Sequence, residues 1–151
     1  RLGYCLAPPK IARAATLPAN NPDACVSTFI QKAGIAALEG PDAPVVEMNE
    51  IFRTRRDAVI AGLNAIPGVS ACVPDGAFYA FPNVSAIATD DKRLASFLLE
   101  EAGVALLAGS CFGDAGAGYV RISYANSIEN LERALERMRA ALPKYASRSK
   151  A

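Results

Sequence analysis

The sequence predicts an α/β chain whose main body is a two-layer α+β domain, and three observations predict it. Residues 45–66 carry the longest run of helix-period apolar residues, ended by Pro67 and Gly68. Beyond them, strand-like and helix-like patterns alternate to about residue 142. Ahead of them, residues 1–44 hold the makings of one strand and two modest helices, too little to bury a sheet alone. The expected organisation is a fragment-like region at 1–44, a linking helix at 45–66, a small α+β domain at 67–142 and a frayed polar tail at 143–151.

Taken in order, residues 1–7 read as a short strand stopped by Pro8 and Pro9. Pro9 suits the first turn of a helix running through Ile11, Ala14 and Ala15 to Leu17. PANNPDA, residues 18–24, is turn-prone, and VSTFIQKAGIAALEG forms a second helix closed by Gly40 and Pro41. In the long segment Val45, Met48, Phe52, Val59, Leu63 and Ile66 make an apolar stripe. Twenty-two residues of helix would be about 33 Å long, which suggests a helix shared between two lobes. Residues 68–82 read as a hairpin: GVSACV, a PDG turn, then AFYAF.

Asp90 or Asp91 can cap the next helix, on which Leu94, Phe97, Leu98 and Glu101 recur, with Gly103 at its end. VALLA is a short buried strand and GSCFGDAGAG a loop. YVRISYA alternates well enough to be two-faced, with Val120, Ile122 and Tyr124 on one side and Tyr119, Arg121 and Ser123 on the other. Asn126 with Glu129 opens the last helix, carrying Ile128, Leu131, Leu135, Met138 and Leu142.

Composition narrows the function. Sixteen basic and fifteen acidic residues leave a net charge of +1, which argues against nucleic-acid and polybasic membrane partners. Apolar runs are too short to span a bilayer. There is no histidine, so no imidazole base can serve a Ser-His-Asp or Cys-His triad. The four cysteines, Cys5, Cys25, Cys72 and Cys111, lie far apart with no C-x-x-C pair. No metal site is expected; the cysteines read as reduced, packed small hydrophobes in a cytoplasmic protein. Any chemistry must use Lys, Tyr, a carboxylate or a cofactor.

Arg121 sits mid-strand between bulky apolar neighbours. On pattern alone an arginine on a two-sided sheet reads first as a solvated or ion-paired residue. The functional alternative is a guanidinium fork receiving a carboxylate or phosphate through two parallel hydrogen bonds. The loop before it lacks the G-K-[ST] ending of a P-loop and reads as a flexible connection.

Four stretches in order change that balance: RLGY at 1–4, FRTRRD within the long helix, PDGAFYAFP, and FG…GYVRISYA. Together they resemble the fold-type I pyridoxal-phosphate aminotransferases of class I/II, the aspartate aminotransferase-like enzymes, over nearly the whole chain. The fold implied is the C-terminal part of the PLP-dependent transferase fold: the end of the large cofactor-binding domain, a linking helix and the small domain. The activity implied is exchange of an amino group between an amino acid and a 2-oxo acid by a homodimeric parent. By the same resemblance Arg121 is similar to the arginine that holds the substrate α-carboxylate, and Arg1 to the one that binds the cofactor phosphate.

The resemblance also marks gaps. Its motif S-K-x-x-x-M-x-G-x-R-x-G-Y places the Schiff-base lysine eight residues before the arginine matched by Arg1. No catalytic residue is therefore assigned, Lys10 and Lys32 do not match, and the chain alone is expected to be inactive and not to hold the cofactor. CVSTFIQ resembles the segment that reaches toward the neighbouring subunit, but without the usual Asn-Pro-Thr-Ser no contact is carried over. Tyr4, Phe78 and Tyr79 read as packing residues first and site-lining residues second. A lyase or synthase of the same fold, and a non-catalytic dimerisation or binding module, stay open. Apolar faces in 1–44 have lost the sheet they should cover, so exposed hydrophobic area, association or disorder is expected there.

Overall fold

The computed structural model of the chain describes residues 2–19 and 26–148. Arg1 and Cys25 lie outside the described residues, as does most of the turn-prone 18–24 passage. Two compact units divide the chain, Arg1–Val45 and Val46–Ala151.

In the first unit, helices α1 (Pro9–Ala19) and α2 (Thr28–Glu39) form where the pattern places them. Pro9 opens α1, and the Pro8 carbonyl accepts from the N–H groups of Ile11 and Ala12 at 2.9 and 3.0 Å. Gly40 closes α2 in an extended conformation, φ −77°, rather than the left-handed one. The expected strand at 1–7 does not form over its described residues 2–7. A strand exists only through a partner's N–H and C=O groups, and the described residues of this unit contain no second strand.

The second unit takes nearly all of α3 (Ala43–Asn64), then β1 (Tyr79–Ala80), α4 (Asp91–Ala102), β2 (Leu107–Ala108), β3 (Val120–Ser123) and α5 (Ile128–Arg148). The sheet order is β1-β3-β2, with β3 central and both neighbours antiparallel to it. Tyr79 faces Ser123, Ala80 faces Ile122, and Leu107 faces Arg121. One side of the sheet, with Ala80, Val120 and Tyr124, closes a core against Val59 and Leu63 of α3, Leu94 and Leu98 of α4, and Leu135, Met138 and Leu142 of α5. The fold is the α/β two-layer arrangement that the pattern predicts.

Four local expectations need correcting. The 68–82 hairpin reduces to one bridge, Ser70↔Asn83, because the side-chain amide of Asn64 takes both backbone groups of Ala71 at 2.8 and 3.0 Å. Of VALLA only Leu107–Ala108 is strand, and Leu107 is half exposed. The tail is helical rather than frayed through Arg148: α5 runs through Pro143, and Tyr145 is buried with its ring 5.1 Å from Phe97. That contact gives the last turns a core attachment, which offsets the proline's missing N–H. Finally, Cys5, Cys72 and Cys111 are free but exposed, not packed. Among the described residues no helix is long and apolar enough to cross a membrane, and no cluster could hold a metal ion.

Candidate carboxylate-binding site

The open face of the sheet carries Arg121. Its partner across β2 is Leu107, and continuing the β1–β3 register through the Asn83↔Tyr119 bridge sets Phe81 opposite it. Aromatic residues gather on this face: Phe81 stacks on Tyr119 at 5.3 Å and meets Phe112 edge-on at 6.2 Å. The guanidinium carbon of Arg121 lies 4.3 Å from the Tyr79 ring centre and 4.4 Å from that of Phe112. Two rings thus clamp one cation, each at cation–π distance.

A guanidinium held over two rings spends no N–H on an acceptor there. Among the described residues no carboxylate pairs with Arg121 and no hydrogen bond engages its nitrogens. The ion-paired reading therefore has no partner for it. Arg121 is half-buried and lines a shallow hollow of about 210 Å³ with Tyr79, Ala105, Leu106, Leu107 and Ser123. That is room for a small group, and a fork of donors in a partly desolvated recess suits a carboxylate.

The glycine-rich loop is not a flexible connection. It folds as two 3-10 turns, Gly109–Phe112 and Asp114–Gly116. A Cβ on Gly109 would overlap the Gly116 carbonyl and lie 2.7 Å from the Tyr119 oxygen, so the two turns press together only as glycines. Three of the loop's glycine N–H groups are spent internally: Gly109 donates to Tyr119 at 2.8 Å, Gly113 to Ser110 at 3.3 Å and Gly116 to Gly113 at 2.9 Å. Such a loop presents a ring, Phe112, and not a nest of amides for phosphate.

Asp91 anchors this loop. Asp90 caps α4, accepting from the Arg93 N–H at 3.0 Å, which leaves Asp91 to turn inward. Its carboxylate accepts from the Ser110 N–H at 2.8 Å and the Ser110 hydroxyl at 2.7 Å. Burial pushes the Asp91 carboxyl up, but the Ser110 hydrogen bonds, helped by backbone at Lys92 and Gly118, outweigh it and hold the pKa below its ordinary value. On the other flank Tyr124, only 1% exposed, donates its hydroxyl to the Ala77 carbonyl at 3.0 Å. Burial, partly offset by Arg56, pushes that phenol up.

Of the two site residues assigned from sequence, Arg121 falls in this site and Arg1 is outside the described residues. Tyr79, read first as packing, is half of the clamp. Phe78 does pack, 6.0 Å from Phe52. Phe112 and Asp91 were not foreseen as site residues. Two adjacent acids where a cap needs one, and a ring inside a glycine loop, were the signals available.

A sequence profile described as aminotransferase class I and II matches residues 1–138. The aspartate aminotransferase of Pyrococcus horikoshii is 39% identical over 144 residues, covering 94% of this chain and 37% of that protein. Among solved structures, the aspartate aminotransferase from Rhizobium meliloti aligns with a TM-score of 0.79 at 37% identity, over 89% of this chain and 36% of that one. An aromatic aminotransferase from Pyrococcus horikoshii aligns equally well, TM-score 0.79 at 40% identity, with the same shares covered. The chain spans 36–37% of the length of these relatives.

Proposed function

The chain belongs to the class I and II aminotransferase family, and from that premise we propose that it is part of an enzyme moving an amino group between an amino acid and a 2-oxo acid. Arg121 receives the carboxylate that both substrates share. The observation that carries this reading is the guanidinium clamped between Tyr79 and Phe112 with no carboxylate of the described chain on its edge. Specificity for the side chain stays general, because the two structural relatives are named for aspartate and for aromatic substrates.

The family depends on pyridoxal phosphate, which when bound supplies an electron sink for amino-group chemistry. The described residues do not fit that group. Lys10 and Lys32 are exposed on α1 and α2, and the N–H groups of Gly109, Ser110, Gly113 and Gly116 are already bonded within the chain. On the RLGY resemblance alone Arg1 is assigned to the cofactor phosphate in the whole protein, which is taken as a cytoplasmic homodimer. What the described chain does is orient substrate: two rings hold the guanidinium in place, and its fork donates to a carboxylate lying in its plane.

Arg121→Lys in the whole enzyme keeps the charge and loses the fork. We expect kcat/KM to fall by about 10–100-fold for the amino acid and the 2-oxo acid alike, since charge-assisted bonds are worth about 1.5–3 kcal/mol. Steady-state kinetics in both half-reactions test it, and an unchanged value in both overturns the assignment.

A further inference from the structure

We infer that Asp91 and Ser110 form a latch that sets the Phe112 ring over Arg121, so that Asp91 is a positioning residue for the carboxylate-binding arginine; this rests on the reading of Arg121 given above. Asp91 is the charged residue that the fold buries, 5% exposed among the described residues. Helix capping does not explain it, because Asp90 already fills that role. No cation pairs with it among the described residues either. Its two short hydrogen bonds both come from Ser110, 19 residues away in the chain. A buried carboxylate without a cation is costly unless its oxygens are satisfied, so these bonds hold strongly to the loop.

Ser110 and Phe112 share one four-residue 3-10 turn, Gly109–Phe112. The turn is tied at a second point, where Gly109 donates to the Tyr119 carbonyl, two residues before Arg121. Both ties hold the start of the turn that ends in Phe112. Phe112 is half exposed, and its ring meets the Arg121 guanidinium and, at a steep angle, the Phe81 ring. With half of the side chain open to solvent, the turn beneath it contributes to its placement. The path from Asp91 to the guanidinium is thus a carboxylate, a serine, one turn and a ring.

The test uses the nitrogen-15-labelled 151-residue chain and the NMR signal of the Arg121 Nε–Hε group. With two rings close by, that proton should resonate upfield of exposed arginines such as Arg133. Propionate is the probe, its dissociation constant read from the same signal. We expect Asp91→Ala to move the signal toward the exposed arginines and weaken propionate about three- to tenfold, as Phe112→Leu does. Asp91→Asn keeps one acceptor for Ser110 and restores most of both. Where Asp91→Ala fails to fold, Ser110→Ala carries the test and shifts the signal the same way by less. Arg121 signals and affinities unchanged in the folded latch variants overturn the latch. Propionate binding unmoved by Arg121→Lys instead overturns the carboxylate reading beneath it, and the two failures are told apart by that one variant.

Discussion

Residues 2–45 and residues 46–148 show the same kind of helical patterning with opposite outcomes. In the first region Leu6, Leu17, Phe29 and Leu38 are 89, 73, 74 and 67% exposed. No described residue from Leu2 to Glu50 is buried. In the second, Leu63, Leu94 and Leu98 are 0% exposed and belong to one core. The difference lies in what each helix faces. An amphipathic stripe lowers free energy only when a second layer removes it from water, at about 25 cal/mol per Å². Residues 46–148 supply their own second layer in the β1–β3–β2 sheet; the described residues before them contain no strand. The described apolar side chains there stay exposed, as helices without a second layer must.

The largest effect that tests this contrast is a pair of core-type truncations, one in each region. Leu98→Ala should destabilise the chain by about 2–5 kcal/mol, the range for buried leucines. Phe29→Ala removes a larger side chain and should change stability by less than about 0.5 kcal/mol, as surface substitutions do. Urea unfolding followed by far-ultraviolet circular dichroism measures both. Equal costs would mean that α2 has a packing partner, and the contrast would collapse.

Next in size is Asp91, where the second region holds a charge in its interior. Replacing it with Asn keeps one acceptor for Ser110 and removes the other charge-assisted hydrogen bond, and should cost about 1.5–3 kcal/mol at pH 7. The sign with pH follows from the depressed pKa. A carboxyl that titrates lower in the folded state stabilises fully above its unfolded value, and that contribution is lost as pH falls through the folded one. The gap between the parent chain and Asp91→Asn should therefore be flat from pH 7 to 5 and close below about 3.8, the group's ordinary value. A gap that widens in acid contradicts the assignment.

These contrasts also explain what the sequence made legible. Helix positions were readable because periodicity and caps are local: α3 lies within two residues of its predicted span, and Asp90 and Gly103 bracket α4. Arg121 was readable as a candidate because alternation put it on the face opposite Val120 and Tyr124. The hairpin at 68–82 was misread because its competitor, the Asn64 side chain, is non-local to the strand pattern. The tail was misread because burial of Tyr145 against Phe97 depends on how α4 and α5 pack. The Phe112 clamp needed the loop's folded shape, which two mutually pressed glycines dictate and no periodicity announces.

The finest probe compares two helix-ending glycines that look alike in sequence. Gly103 ends α4 at φ 63°, with its own N–H directed at the carbonyls of Leu98 and Leu99. Gly40 ends α2 at φ −77°, a conformation open to any residue. At Gly103 a Cβ would meet only Arg137 Nη1 at 3.1 Å, the far end of a flexible side chain, so Gly103→Ala costs what the left-handed backbone costs, roughly 1 kcal/mol. At Gly40 the backbone is relaxed, but a Cβ would sit 2.8 Å from the Ala36 carbonyl oxygen. The last turn of α2 must shift to admit it. Because none of the residues of α2 is buried, that shift disturbs no core, and the unfolding midpoint should stay within error. A midpoint lowered by Gly40→Ala as much as by Gly103→Ala would show that the end of α2 is tied to the cooperative core, and the two regions would then have to be treated as one folding unit.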